Sequence, residues 1–264
     1  MKLYPSRLRG EITIQPSKSY LHRMIIMSAL SGKRVEINNV NYSQDVLATL
    51  LALKAMGLCD YEKKESSVII KKGRKNPSKV IDCNESGSTL RFLIALGLAM
   101  DKELTFIGRG RLMERPLNVY ESLCKEKGWD FALNDKVLKI KGSLKAGDYI
   151  IRGDVSSQFI SGLMMALSKI QGNSTITVTG KMESVGYIDI TLEVLRLFGV
   201  KAGRNDNIIS ITGGIAPPKT VTVQGDWSHG ANYACIGGKN GGLVLKGLES
   251  SSAQRDSSII DILR

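Results

Sequence analysis

Lys18, Ser19 and Arg23 stand together in the segment Pro16-Ser17-Lys18-Ser19-Tyr20-Leu21-His22-Arg23. If that segment is helical, Ser19 and Arg23 are one turn apart and share a face. Lys18 then falls in the first turn, where free amide N–H groups and the helix dipole favour an anion. First turns ordinarily prefer Asp or Glu, so a lysine there is unfavourable without an anion beside it. The plain alternative is a solvated basic turn. Ser17 fits the capping position. Two cations, hydroxyls and a helix N-terminus suit a phosphate or a carboxylate.

Comparable groups recur downstream. Gly87, in Asn84-Glu85-Ser86-Gly87-Ser88-Thr89-Leu90-Arg91, lets a ligand approach backbone amides, or forms an ordinary tight turn. Arg109, Arg111 and Arg115 precede Pro116, the residue expected to open a helix, and at least one of the three is expected to face solvent. Ser156, Ser157 and Gln158 open an apolar run; they are caps, or the uncharged donors that hold a phosphate. Ser184 and Tyr187 precede another helix, Tyr187 with a core role as its alternative and Asp189 as a partner of the dipole. His22 and His229 lie far apart without neighbouring ligands and read as local hydrogen-bonding groups. No GxxxxGK[ST], GxGxxG or GxSxG motif occurs. Cys59, Cys83, Cys124 and Cys235 form no CxxC pair and read as buried free thiols of a reducing compartment. Neither metal nor cofactor is expected.

A repeat must position these groups. Ser17, Ser86, Ser156 and Ser228 each open a helical pattern, at intervals of about 70 residues. A second helical pattern ends at Gly57, Gly128 and Gly199 with the same period, as C-terminal caps do. Each unit reads strand (EITIQP, KVIDC, DYIIRG, TVTVQG), Ser-capped helix, strand (RVEINNV, ELTFIGR, STITVTG, LVLKGL), second helix, then one or two β segments. In the first helix Leu21, Met24, Ile25 and Ala29 fall on one face. The unit is β-α-β-α-β-β, and the class is α+β. The fourth unit's second helix, from about Gln254, is expected to end at a glycine near position 270 by the same period. The sequence is therefore expected to be part of a longer protein.

Composition narrows the partners. Lys and Arg exceed Asp and Glu by 12, which favours anionic ligands. Aromatics are only 6% and no basic aromatic strand appears, which argues against a nucleic-acid binder. No apolar run reaches the roughly 18 residues that span a bilayer, and the first residues have no apolar signal core. A cytoplasmic monomer without membrane or nucleic-acid partners is expected.

The blocks QPSKSYLHR, ESGSTLRF, RGRLMERPL, DVSSQFISGLMMAL, ESVGYIDITLEVLRLFGV and GDWSHGANY, in that order, resemble the EPSP synthase family of enolpyruvyl transferases. The resemblance covers residues 1 to about 230. It implies six βαβαββ units in two lobes, inside-out α/β barrels, with the chain crossing between lobes twice. One lobe would hold 15–224, and the other 1–14 with 225–264. It implies transfer of the enolpyruvyl group of phosphoenolpyruvate to the 5-hydroxyl of shikimate 3-phosphate, by addition and elimination, without a cofactor. Lys18 matches a lysine touching both substrates, and Ser19 and Arg23 match shikimate 3-phosphate contacts. Gly87 and Arg115 match phosphoenolpyruvate contacts. Ser156, Ser157 and Ser184 match the serines around the shikimate phosphate. Gln158 matches a glutamine reaching both substrates, and Tyr187 a shikimate-ring contact.

Departures qualify the match. Glu85 stands where the family often has Asn, and its carboxylate would repel phosphoenolpyruvate unless paired or turned away. The family's catalytic aspartate, its Glu-Arg pair, a second phosphoenolpyruvate arginine and a C-terminal lysine belong to units five and six. The 264 residues alone are therefore expected to be inactive yet to bind shikimate 3-phosphate weakly, with no carboxylate in the cleft unless Glu85 turns inward. Two alternatives compete. The sister UDP-N-acetylglucosamine enolpyruvyl transferases carry Asn after the first-block lysine, where this chain has Ser19, and a reactive cysteine in a Gly-rich loop. The other is a non-catalytic anion-binding lobe.

Overall fold

The computed structural model describes residues 9–73, 77–237 and 242–263. The first unit holds β1 (Arg9–Thr13), α1 (Lys18–Ser31), β2 (Val35–Asn38), α2 (Gln44–Ala55), β3 (Cys59–Lys63) and β4 (Ser67–Lys72). The second holds β5 (Val80–Asp82), α3 (Gly87–Leu98), β6 (Leu104–Ile107), α4 (Asn118–Lys127), β7 (Asp130–Asn134) and β8 (Val137–Lys141). The third holds β9 (Asp148–Arg152), α5 (Ser157–Lys169), β10 (Asn173–Thr179), α6 (Val185–Leu197), β11 (Lys201–Asn205) and β12 (Ile208–Thr212). Then come β13 (Thr220–Thr222), α7 (Trp227–Gly237), β14 (Gly242–Lys246), a 3-10 turn (Arg255–Ser258) and α8 (Ile259–Leu263).

Units two and three have one topology. Their sheets run β5-β6-β8-β7 and β9-β10-β12-β11, with the first pair parallel and the others antiparallel. Their second helices, and that of unit one, end as the repeat predicts. Gly57, Gly128 and Gly199 adopt φ of 74°, 68° and 73°, a left-handed turn that favours glycine. The following N–H then reaches back to Leu53, Cys124 and Leu195 carbonyls.

Unit one is built differently from the sequence reading. Its sheet runs β13-β2-β4-β3, so its parallel edge strand comes from Thr220–Thr222. The strand expected there, EITIQP, instead pairs as β1 with β14. The two crossing segments meet at a Pro16–Gly225 bridge. Ser17 N–H donates to the Gln224 carbonyl and Asp226 N–H to that of Gln15, each at 2.8 Å. Local patterning cannot foresee the exchange, because both segments are strands leading into helices. Pairing β13 with β2 returns the third unit to the first and closes the ring of three sheets.

The first helix of each unit lies at the buried centre, while α2, α4 and α6 keep one face toward solvent. In α1 every residue from Tyr20 to Leu30 is buried, so the single apolar face expected there is replaced by burial all round. α3 and α5 are buried almost as completely. β8, β9 and β12 alternate buried and exposed residues, with one face on the helices and one on solvent. Cys59, Cys83 and Cys124 are buried as expected, and burial pushes the Cys59 and Cys124 thiols up to about 12. Cys235 is exposed, contrary to expectation, because it sits on the outer face of α7.

α3 and α5 approach closely at Gly162. A Cβ there would stand 2.9 Å from the Arg91 carbonyl oxygen and 3.1 Å from Phe92 Cα, both backbone atoms of α3. Gly162→Ala should therefore force the two helices apart and cost about 2 kcal/mol, as overpacking does. Urea unfolding checks this, and a cost below about 0.5 kcal/mol would contradict the close packing.

Candidate active site

The N-terminal ends of α1, α3, α5 and α6 converge on a cavity of about 370 Å³. Eight of the residues singled out above line it: Lys18, Ser19, Arg23, Ser156, Ser157, Gln158, Ser184 and Tyr187. His22, Ser88 and Arg91 complete the wall. Gly87 and Arg115 are outside the lining but adjacent, for Arg115 Nη1 lies 2.7 Å from where a Cβ on Gly87 would be. Ser19, Ser184 and Tyr187 also line a neighbouring cavity of about 180 Å³ that reaches Asp226 and Arg255.

Arg23 is 2% exposed. Its Nε donates to Thr191 Oγ1 at 2.7 Å and Nη1 to the Ser19 carbonyl at 2.8 Å. Nη2 donates to Ser161 Oγ and to the Tyr187 carbonyl, each at 3.2 Å. The guanidinium also lies 5.0 Å from the centre of the Phe92 ring. Burial lowers its pKa to about 10, so it remains charged at neutral pH. Four of its five N–H vectors are therefore committed to helices, leaving one on Nη1 for a ligand.

Arg91 Nη1 donates to Gln158 Oε1 at 2.7 Å, and Gln158 Nε2 donates to Ser88 Oγ at 2.8 Å. Arginine can only donate, so this contact fixes which end of the Gln158 amide faces it. Burial, and then the like charge of Arg115, lower the Arg91 pKa. Among the described residues, no ion pair involves Arg23, Arg91 or Arg115. Arg109 pairs with Asp82 and Arg111 with Glu114 on the surface, as expected for at least one of that trio. Pro116 does not open the helix; α4 begins two residues later, and Arg115 is extended.

The hydroxyls differ from one another. Ser156 Oγ accepts from Gln158 N–H and so caps α5. Ser184 sits in the left-handed region at φ 53° and its side chain caps nothing, which leaves its hydroxyl uncommitted. Ser17 holds the capping position of α1 without making the expected side-chain bond, and its Oγ is buried without a partner. Tyr187 is 43% exposed and is no core residue. Asp189 lies beyond the first turn of α6 and pairs with Arg204 and Arg255 instead of with the dipole.

Sequence reasoning missed three members. Asp45 holds Lys18 Nζ at 2.7 Å, so a carboxylate does stand at the cleft and it is not Glu85. Glu85 turns over Gly110, its Oε1 2.6 Å from where a Cβ there would sit. Asp45 carries no mark in the sequence, since an acidic residue in a first turn is ordinary. Arg91 and Ser88 were legible: Arg91 stands one turn after Gly87 and Ser88 beside it. Among the described residues no cluster of His, Cys, Asp and Glu could hold a metal, and no helix is long and apolar enough to cross a membrane.

The sequence pattern of EPSP synthase (3-phosphoshikimate 1-carboxyvinyltransferase) matches residues 3–264. The chain belongs to the EPSP synthase family. Its relatives include the 3-phosphoshikimate 1-carboxyvinyltransferases of Clostridium beijerinckii, 38% identical, and Clostridium kluyveri, 40% identical. In both cases all of this chain is aligned, and it spans 63% of the relative's length. The EPSP synthase of Acinetobacter baumannii superposes with a TM-score of 0.72 at 25% identity, over 85% of this chain and 52% of that one. The α+β fold of the enolpyruvyl transferases is thus the fold of this chain.

His22 gives this site a pH signature. Burial, reinforced by Lys18 and Arg23 against the opposing Asp45, pushes the imidazole from 6.5 down to about 3. A depressed folded-state pKa means that the unfolded chain takes up the proton first as pH falls below about 6.5. Stability should therefore drop by about 2 kcal/mol between pH 7 and pH 5. Urea titrations at the two pH values test this, and His22→Asn should lack that loss.

Proposed function

We propose that this chain supplies the shikimate 3-phosphate site and part of the phosphoenolpyruvate site of an enolpyruvyl transferase. The reaction would join the enolpyruvyl group of phosphoenolpyruvate to the 5-hydroxyl of shikimate 3-phosphate and release phosphate. The observation that carries this reading is a cavity rimmed by Arg23, Arg91 and nearby Arg115 with no acidic partner for any of them among the described residues. Two multiply anionic substrates would provide the missing counter-charge. Family membership selects these anions among the many that such a site could hold.

The roles are those that the family resemblance implies, and the unspent donors and acceptors of the site support them. The Ser156, Ser157 and Ser184 hydroxyls face the cavity as uncharged donors for the shikimate phosphate. Arg23 offers its remaining N–H, Ser19 a hydroxyl and Tyr187 its ring to the shikimate body. Gln158 and Lys18 lie between the two substrate positions, and Gly87 with Arg115 takes phosphoenolpyruvate. Lys18, oriented by Asp45, is the ammonium placed to move a proton during addition or elimination. The lobe of this reading is 15–224, with 1–14 and 225–264 in the second. Residues 1–8 lie outside the described structure.

Calorimetric titration with shikimate 3-phosphate tests the proposal. Binding is expected, and Ser157→Ala and Ser184→Ala should each weaken it about tenfold, the worth of one hydrogen bond to a charged group. Sulfate competing as well as shikimate 3-phosphate would reduce the site to a general anion lobe and overturn the assignment.

A further inference from the structure

Behind Lys18 lies a row of buried polar groups that the proposed reaction does not use. His22 Nδ1 is 2.8 Å from Thr49 Oγ1, which is 2.7 Å from Thr89 Oγ1. Thr89 Oγ1 donates to Ser86 Oγ at 2.7 Å. The four residues are at most 1% exposed. Each hydroxyl has one proton, and spending it on the shorter contact gives the row a single direction. Thr89 spends its proton on Ser86 and must accept from Thr49. Thr49 then spends its own on Thr89 and must accept from His22. The alternative acceptor, the Asp45 carbonyl, is farther, at 3.3 and 3.4 Å. His22 therefore carries its proton on Nδ1 and a bare lone pair on Nε2, the buried nitrogen without a partner among the described residues. The charged groups that face the ring are Lys18 and Arg23 of α1 and Asp45 of α2.

We propose that His22 is a positioning residue: as a neutral Nδ1–H imidazole it begins a one-way relay through Thr49 and Thr89 to Ser86 that ties together the N-terminal halves of α1, α2 and α3 beside the cavity. The relay holds three site features in register. Lys18 lies four residues before His22, Asp45 four before Thr49, and Ser86 caps the helix that opens at Gly87. The relay thus joins the Lys18–Asp45 pair to the Gly87 mouth, groups from two different units. The link to ligand binding rests on the function proposed above; the proton placement does not.

The sequence has only two histidines, so 15N-histidine spectra read His22 directly, with His229→Gln as the assignment control. The expected signature is a protonated Nδ1 and a bare Nε2, unchanged from about pH 7.5 to about pH 5, and a mixture of tautomers in Thr49→Val. An Nε2–H tautomer, or titration within that window, overturns the relay. The second arm compares shikimate 3-phosphate affinity in His22→Leu and His22→Asn. Asn places an amide N–H where Nδ1–H stands, so it should bind within about threefold of the unsubstituted chain, and Leu about tenfold more weakly. Equal weakening in both overturns the positioning role. If the unsubstituted chain does not bind shikimate 3-phosphate, the functional reading fails while the spectra still decide the relay.

Discussion

The buried guanidinium of Arg23 is the contact on which the site depends. It rises from α1, donates to Ser161 on α5 and to Tyr187 and Thr191 on α6, and lies over Phe92 of α3. Helices from all three units thus converge on one cation. An unpaired charge in an interior costs several kcal/mol, and here hydrogen bonds and a ring face offset that cost without a carboxylate. Among the described residues no acid pairs with it, so neutral acceptors orient the group without neutralising its charge.

The same logic separates the two sides of the cavity. Lys18 is tethered to Asp45, so its ammonium is held in place and its charge is balanced. Arg91 is tethered through the Gln158 amide to Ser88, so it is placed with its charge intact, close enough to Arg115 for the two cations to repel. Mutual repulsion between guanidiniums in one wall is tolerable only where an anion relieves it or solvent screens it. Arg91 is partly buried and Arg115 exposed, so solvent screens the outer member of the pair.

The scaffold makes this convergence possible by burying the first helix of each of its three units at the centre. α1, α3 and α5 can pack at the centre because their middle turns are mostly apolar and most of their polar groups sit toward the N-terminal ends or hydrogen-bond within the core. Gly162 allows α5 to meet α3 backbone to backbone, which sets Gln158 beside Arg91 and Ser88. The exchange of β1 and β13 between sheets closes the ring and brings the Pro16–Gly225 crossing directly under the first turn of α1.

The repeat, its βαβαββ content and the glycine caps were legible in the sequence, because capping and left-handed turns are local requirements that particular residues meet. Eight of the ten residues singled out from the sequence line one cavity; they could be picked out locally because a lysine, an arginine or consecutive hydroxyls at a helix start stand out wherever the chain goes. Pairing was a different matter. Which of two equivalent strands joins β2, that Asp45 meets Lys18, that Glu85 turns to Gly110, and that Arg23 is held from three sides are contacts between distant segments. Such contacts depend on how whole units pack, and the residues involved are ordinary in their own neighbourhoods. Local chemistry therefore determined what each helix start could bind, and tertiary packing decided which starts face one another and which charges stay free.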